Sequence, residues 1–351
     1  MTKKPTSAPF RVAFTGDFQD ATGKPKYRDF GLGTFQSHPN IEYHVMPGFT
    51  PELTADQIGD AHGVVVLTPR VTERSLIGRS ELLAIARFGV GYDSVDVAAC
   101  TEADVLLLIA AGAVDRSVAE ATLTWMLALS HRVRSKDLLV REGNWEARSQ
   151  FMGSSLRQRT LGLVGFGRIA QALVQLVQGF QMKQFLAFDP LVDAKIAARH
   201  GVELVSLDDL LARSDFVSIH CPLNEETRNL IGEQQLARMK REAFLINTAR
   251  GGIVDERALY RALKDRRIAG AAIDVFAEEP LTRPHLLTEF DSVLLAPHCI
   301  AWTDDLFSDI GRTVCEGLAD LARGEMPHGI VNAAVLERPG FKKKWARWGG
   351  G

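Results

Sequence analysis

Cysteine is scarce in this chain of 351 residues, and its four copies stand far apart: Cys100, Cys221, Cys299 and Cys315. No two of them form a CxxC pair, and none has the spacing of zinc ligands. The pattern excludes a disulfide framework and predicts no metal site. We therefore expect a protein of the reducing cytoplasm.

Long apolar runs and an excess of charge are also missing. The longest apolar run, 105–111, is far shorter than the roughly 20 residues that cross a bilayer. The opening segment MTKKPTSAPF lacks the apolar region of a secretory signal, so we expect no such leader. Lys and Arg total 41 against 43 Asp and Glu, which gives a net charge of −2. This balance offers no electrostatic reason to expect nucleic acid or a membrane as a partner.

The composition that is present, 46% hydrophobic and 24% charged, excludes a disordered or fibrous chain. At roughly 150 residues per domain, the length favours two domains. Short apolar runs alternate with helical patterns, which predicts α/β architecture with doubly wound parallel sheets. The predicted strands are 11–14, 41–45, 64–67, 83–87 and 105–109 in a first sheet, and 161–164, 185–188, 216–219, 244–246, 271–273 and 293–295 in a second.

Several helix starts carry capping signals. Ser117 and Glu120 have the spacing of a capping box at the start of a long helix, which gives Glu120 a structural role in preference to a catalytic one. Ser206 and Asp255 are predicted N-caps. A last helix is predicted from about 303 to 323, because apolar residues recur there at helical spacing.

The strongest single motif is the segment LVGFGRIA, in which Gly165, Gly167 and Ala170 follow an apolar run and open a helical pattern. Glycines in such a turn let the backbone approach a diphosphate, and the helix N-terminus favours its negative charge. Asp189 ends the next apolar run, where an acidic residue binds the ribose hydroxyls and repels a 2′-phosphate. The motif predicts NAD rather than NADP as cofactor. A glycine turn followed by a helix-capping aspartate is the alternative.

Three polar residues follow later apolar runs, where open α/β sheets place their ligands. Arg250 has a guanidinium, which can form a bidentate pair with a carboxylate. His298 has a side chain suited to proton transfer at a carbonyl oxygen. Glu279, if bonded to His298, would favour the charged imidazolium and fix the ring. Together they predict the reduction of a 2-keto acid or the oxidation of a 2-hydroxy acid.

Each of these residues also has an ordinary structural alternative. Arg250 could bind a surface carboxylate, Glu279 could be a solvated turn residue before Pro280, and His298 could be a hydrogen-bonded loop histidine. Their shared position behind a dinucleotide motif favours the catalytic hypothesis.

From Val64 to Asn332 the chain resembles the D-isomer-specific 2-hydroxyacid dehydrogenases. The motifs that carry the resemblance are ARFGVGYDSVDV, RSVAEATLTWMLAL, GLVGFGRIA, HCPLNEETRNLI, NTARGGIVDERAL, AAIDVFAEEP and APHCIAW. The resemblance implies an NAD-dependent oxidoreductase that acts as a homodimer. It also implies a flavodoxin-like substrate domain and a Rossmann NAD domain with a cleft between them.

The resemblance further implies roles for individual residues. Arg250 would bind substrate, His298 would be the acid and base, and Glu279 would be its partner. Backbone N–H groups of Val90 and Gly91 would bind the substrate carboxylate. The cofactor contacts implied, beyond the glycines and Asp189, are Arg168, Ile169, Thr248, Ala249 and Asp274.

The family topology implies a discontinuous substrate domain. Its predicted boundaries are 1–112 with 303–336, and the NAD domain would cover 113–302. The remaining tail, 337–351, is basic and ends in glycines, so we expect it to be poorly ordered. The stretch REGNWEAR around Trp145 resembles the dimerisation arm of the family, with a tryptophan packed on its own helix as the alternative.

The chain departs from the family pattern in the segment IAAGAVDR, which places Asp115 and Arg116 near the domain hinge. Arg116 is either a solvated helix-start charge or a second anion contact, and Arg70 could bind a substrate carboxylate or phosphate. Trp302 would narrow the pocket or pack on the last helix. Cys299 is interpreted as a small half-buried apolar residue rather than a nucleophile.

The sequence therefore predicts an NAD-dependent D-2-hydroxyacid dehydrogenase acting on a small 2-hydroxy or 2-keto acid. The alternative is a dimeric NAD(H)-sensing binding protein with little turnover, similar to corepressors of the same family.

Overall fold

The computed structural model describes residues 8–350, which form two compact α/β units. One unit contains the chain up to Val114 and again from Trp302 onward; the other is Asp115–Ala301, compared with the predicted 113–302. No helix within the described range is both long enough and apolar enough to cross a membrane.

The discontinuous unit is built on a five-stranded parallel sheet in the order β2-β1-β3-β4-β5, which is the flavodoxin-like order. Its inner strands read as nearly continuous apolar runs because helices cover both faces of a parallel sheet. The strands are β1 (Phe10–Phe14), β2 (Ile41–Val45), β3 (Gly63–Val66), β4 (Ala84–Arg87) and β5 (Leu106–Ile109). The helices are α1 (Ala55–Ile58), α2 (Glu73–Leu76), α3 (Val97–Glu102), α11 (Asp304–Ala322) and α12 (Pro339–Trp345).

The continuous unit has a seven-stranded parallel sheet in the order β12-β11-β10-β9-β6-β7-β8, a Rossmann arrangement with one further strand. The strands are β6 (Thr160–Val164), β7 (Gln184–Phe188), β8 (Val202–Leu204), β9 (Phe216–Ile219), β10 (Phe244–Asn247), β11 (Gly270–Ile273) and β12 (Val293–Leu295). The helices are α4 (Asp115–Ser130), α5 (Val133–Arg141), α6 (Arg168–Val177), α7 (Ala194–Arg199), α8 (Leu207–Arg213), α9 (Glu233–Arg238) and α10 (Glu256–Lys264).

Two of the predicted helix caps are confirmed and one is wrong. The Ser206 hydroxyl accepts from the Asp209 N–H at 3.2 Å, and Asp255 accepts from the N–H groups of the first turn of α10. The capping box at Ser117 does not form, because α4 already begins at Asp115 and Ser117 lies inside its first turn. The Glu120 side chain instead forms an ion pair with Arg116 on the same helix face.

The basic C-terminal tail is folded, contrary to the expectation of poor order. Its helix α12 and the short 3₁₀ turn after it bury Phe341, Trp345 and Trp348 in the discontinuous unit. The Trp348 ring meets the rings of Phe10 and His62 edge-on, each at 4.9 Å between centroids. The three aromatic residues recur at helical spacing and share one face, a signal that the surrounding lysines and glycines masked.

Because Trp348 is buried, its replacement by alanine should destabilise the discontinuous unit by about 3 kcal/mol, the usual cost of removing a large buried aromatic side chain. Urea unfolding followed by circular dichroism would measure the loss. Lys343→Ala is the matched control, since Lys343 is exposed on the neighbouring helix α12. Equal stability of the two variants would show that the Trp348 side chain contributes nothing to the fold.

Candidate active site

The turn between β6 and α6 has a backbone that only glycine accommodates well. Gly165 has a φ of +92°, and a Cβ there would lie 2.7 Å from the backbone nitrogen of Cys221. Gly167 is the N-cap of α6, and a Cβ on it would meet no atom within 4 Å. The N-cap residue makes no side-chain hydrogen bond to this helix, so its first N–H groups are left for a ligand or solvent. The turn therefore has the shape and the polarity to hold a diphosphate.

Asp189 lies directly beside this turn, at the end of β7. Its Oδ2 accepts the N–H of Phe166 at 2.8 Å, and its Oδ1 accepts the N–H groups of Leu191 and Val192 at 2.9 and 3.1 Å. These bonds fix the carboxylate next to the glycine turn, and Oδ2, which accepts a single N–H group, retains acceptor capacity for a hydroxyl group. The residues present therefore fit an adenosine ribose and a diphosphate. Ala170 is fully buried where α6 packs against the sheet, as the fingerprint requires.

Two further predicted cofactor residues open helix α6. Arg168 is its first residue, and its Nε donates to Oδ2 of Asp115 at 2.6 Å. Ile169 follows, half-buried in the first turn.

Arg250 lies in a tight turn that begins at the end of β10. Asn247 is buried there, and its side-chain amide donates to the Arg250 carbonyl at 2.9 Å and accepts the Ala249 N–H at 3.0 Å. The Arg250 guanidinium donates to the Ala249 carbonyl at 2.7 Å. A Cβ on Gly251 would lie 1.8 Å from the carbonyl oxygen of Phe276, so glycine alone lets this turn pack against the segment after β11.

The predicted pair of His298 and Glu279 forms. His298 Nδ1 lies 2.8 Å from Glu279 Oε2, while Glu279 Oε1 accepts the N–H of Phe276 at 2.8 Å. Burial acts to raise the pKa of Glu279, but the hydrogen bonds from His298 and Phe276 and the charges of His298 and Arg250 outweigh it and lower that pKa. Glu279 is therefore a carboxylate at neutral pH. Because a carboxylate only accepts, Nδ1 of His298 carries the proton of this bond.

The loop that carries His298 is held by Asp274. The Asp274 carbonyl accepts the His298 N–H at 2.7 Å, and its buried carboxylate Oδ1 accepts the N–H groups of Cys299 and Ile300 at 2.8 and 3.2 Å. Burial raises the pKa of Asp274, partly opposed by these two hydrogen bonds. His298 itself has a φ of +55°, a strained conformation for a residue with a side chain. Strain maintained by several hydrogen bonds is typical of a functional position.

Comparison with known proteins places this site in a family. Residues 123–299 match the family model described as "D-isomer specific 2-hydroxyacid dehydrogenase, NAD binding domain". A glyoxylate reductase of Korarchaeum cryptofilum is 38% identical over 293 residues, which are 82% of this chain and 88% of that protein. The chain belongs to the D-isomer-specific 2-hydroxyacid dehydrogenase family. Residues 123–299 are accordingly its NAD-binding domain.

Other relatives of this chain differ in length and in name. A D-3-phosphoglycerate dehydrogenase of Methanocaldococcus jannaschii is 39% identical over 293 residues, 83% of this chain, and the chain spans only 55% of that protein. D-lactate dehydrogenase from Aquifex aeolicus, solved with NAD and lactic acid, has a TM-score of 0.79 at 26% identity. The match covers 92% of this chain and 99% of that one. The TT0316 protein of Thermus thermophilus has a TM-score of 0.79 at 28% identity. That match covers 92% of this chain and 99% of the TT0316 chain.

Within the continuous unit, the structure brings the proposed chemical groups together. Arg250, Glu279 and His298 follow β10, β11 and β12, which are neighbours in the sheet, so their side chains gather at its carboxyl edge. Thr248 lies in the same turn as Arg250, with its hydroxyl 3.3 Å from that of Thr122 on α4.

The predicted substrate residues outside this cluster stay predictions. Val90, Gly91 and Arg70 belong to the discontinuous unit, where the first two follow β4 and Arg70 follows β3 with an exposed side chain. Arg116 belongs to the continuous unit and is paired with Glu120 on an exposed face, which matches its interpretation as a solvated charge.

Sequence reasoning missed Asn247. Its signal was visible, because it is a polar residue at the end of an apolar run and directly before the Thr248–Arg250 turn. Its two side-chain hydrogen bonds shape the turn that presents Arg250.

Proposed function

We propose that this chain is an NAD-dependent dehydrogenase that transfers a hydride between NAD(H) and a D-2-hydroxy acid/2-keto acid pair. The observation that carries the proposal is the 2.8 Å pairing of His298 Nδ1 with an ionised Glu279, close enough to Arg250 for its charge to act on Glu279. An oriented histidine, a carboxylate partner and an arginine are the groups that this reaction needs.

His298 serves as the acid in reduction and the base in oxidation. Glu279 accepts from Nδ1 and fixes the ring, which leaves Nε2 to exchange the reacting proton. In reduction, the hydride forms a C–H bond at C2 while the carbonyl oxygen takes the proton from Nε2. Glu279 also stabilises the imidazolium that this proton requires. When bound, the nicotinamide supplies or accepts the hydride.

Arg250 holds the substrate in this proposal. Its guanidinium binds the carboxylate of the 2-keto acid and draws electron density from the carbonyl oxygen as negative charge develops there. Val90 and Gly91 would add backbone N–H groups to the same carboxylate, as the family resemblance implies. Arg70 is a further proposed anion contact, whereas Arg116 is paired with Glu120.

The cofactor contacts follow from the turn geometry. Gly165 and Gly167 leave room for the diphosphate at the N-terminus of α6, with Arg168 and Ile169 in its first turn. Asp189 binds the ribose hydroxyls, and its negative charge selects NAD over NADP. Thr248 and Ala249 would line the nicotinamide end of the cofactor site. Asp274 would accept a hydrogen bond from the nicotinamide carboxamide through Oδ2, because the loop N–H groups bond only to Oδ1. These roles rest on the resemblance and on position.

We also propose that the enzyme works as a homodimer in the cytoplasm. The segment from α5 to Met152 exposes Val140, Trp145 and Met152, each more than 60% accessible, and a pairing surface would cover them. The Trp145 ring contacts its own 3₁₀ helix through the Arg148 guanidinium, which lies 5.6 Å from the ring centroid, and the rest of the ring is exposed. All four cysteines are free thiols, which suits a reducing compartment.

The direct test is the oxidation of NADH, followed by its absorbance, against a panel of 2-keto acids, with NADPH run in parallel. The panel contains glyoxylate, hydroxypyruvate, pyruvate, phenylpyruvate, oxaloacetate and a phosphorylated keto acid. We expect turnover with at least one of them and a preference for NADH. NADH binding without turnover across the panel would contradict the proposal and favour an NAD(H) sensor.

A further inference from the structure

Arg168 of the dinucleotide-binding motif forms a hydrogen bond with a residue outside that motif. Arg168 opens α6, and its Nε donates to Oδ2 of Asp115, the first residue of α4, at 2.6 Å. The Asp115 side chain is 17% exposed and that of Arg168 is 72% exposed. Asp115 is therefore the more shielded member of the pair, while the Arg168 side chain is largely exposed.

Asp115 belongs to a helix that is firmly packed in the continuous unit. Helices α4 and α6 pack directly against each other, and residues of both lie in one buried cluster with β6. Ala119 and Met126 of α4 and Leu173 and Val174 of α6 are completely inaccessible there. Since both residues are in the first turns of their helices, the ion pair joins the two N-terminal ends.

The bond to Asp115 leaves the two terminal amino groups of the Arg168 guanidinium available to bind an anion. Only its Nε bonds to Asp115, so the two terminal amino groups retain their N–H donors for another anion. An arginine held in one orientation loses less side-chain entropy on binding than a freely rotating one. The open turn at Gly167 directly precedes Arg168 in the chain.

We propose that Asp115 is a positioning residue for cofactor binding: it holds the Arg168 guanidinium at the turn so that its amino groups meet the diphosphate of NAD(H). The inference rests on the proposed function, because it needs that turn to bind the cofactor. It assigns a role to Asp115 in the segment IAAGAVDR.

The test is the affinity for NADH, measured by calorimetry without any substrate, for the wild type, Asp115→Ala, Arg168→Ala and the double variant. Loss of one immobilising contact should weaken NADH binding about three- to tenfold in Asp115→Ala. The double variant should bind no more weakly than Arg168→Ala alone, because Asp115 acts through Arg168. Asp115→Asn keeps a polar group at the helix start and serves as a second variant if alanine disturbs folding.

Binding of two fragments of NADH, ADP-ribose and adenosine, distinguishes a positioning role of Asp115 from a purely structural one. Asp115→Ala should weaken ADP-ribose, which has the diphosphate, and leave adenosine unchanged. The matched control is Asp208→Ala, which removes a 2.9 Å bond from Arg238 Nε to the first turn of α8, another pair that joins two helices.

The outcomes are distinct. Unchanged or tighter NADH binding in Asp115→Ala, or equal losses for adenosine and ADP-ribose, would overturn the inference and leave the proposed function standing. A wild type that binds no NADH would overturn both.

Discussion

Arg250→Ala should lower kcat/KM for the preferred 2-keto acid by about 10³-fold, while the affinity for NADH stays within about twofold of the wild type. The first effect follows because truncating one partner of a close charge pair typically costs 2–5 kcal/mol, roughly 30- to several-thousand-fold. The second follows because no cofactor contact is assigned to the Arg250 side chain itself. The diphosphate and ribose contacts are assigned to the β6–α6 turn and Asp189, and Thr248 and Ala249 precede Arg250 in the chain.

Arg250→Lys refines this result. Lysine keeps the positive charge but loses the planar fork, so we expect only partial recovery of kcat/KM. Arg261→Ala is the matched control, since Arg261 forms a surface ion pair with Glu233 in the same unit. A normal kcat/KM in Arg250→Ala would remove Arg250 from the site, and a parallel loss of NADH binding would point to misfolding instead.

His298→Asn should lower kcat by about 10²- to 10⁴-fold, the usual contribution of a positioned acid–base group. Asparagine is the chosen replacement because His298 has a φ of +55°, and asparagine tolerates the left-handed region better than most residues. The loop should therefore keep its hydrogen bonds to Asp274. Steady-state kinetics and NADH affinity together would separate a chemical defect from a folding defect.

Glu279→Gln tests the other half of the pair. It should lower kcat by no more than His298→Asn does, because the histidine remains but loses the carboxylate that fixes its tautomer and stabilises its imidazolium. Wild-type activity in both variants would contradict the assigned acid–base pair.

The lowered pKa of Glu279 sets the pH range of this pair. A carboxyl whose pKa is depressed in the folded protein contributes stability above its ordinary value of 4.5 and loses it as pH falls through the lower folded value. The His298–Glu279 bond should therefore persist at mildly acidic pH and fail only below the ordinary pKa range of glutamate.

The candidate site could be predicted from the sequence because its main residues have local signatures. Gly165 satisfies a backbone with positive φ, Asp189 ends the neighbouring strand, and Arg250, Glu279 and His298 follow apolar runs at one sheet edge. Each of these signatures depends only on residues close together in the chain, so it can be recognised in a single sequence. Most strand positions were predicted for the same reason, since parallel strands are apolar on both faces.

The rest depends on contacts between distant residues. Strand β8 is a three-residue edge strand with an exposed Glu203, too short for a periodic signal. The capping box at Ser117 had the right spacing but the wrong register, because α4 starts at Asp115. The expectation of a poorly ordered tail is wrong because Trp348 packs on Phe10 and His62, which lie hundreds of residues away in the chain.

The most direct test of the central claim is to follow the hydride itself. The protein would be supplied with NADH deuterated twice at C4 of the nicotinamide and with the 2-keto acid that it reduces best, and the product would be analysed by NMR and chiral chromatography. We expect one deuterium at C2 of a single D-2-hydroxy acid. A product without deuterium at C2, or NADH bound without any product, would contradict it.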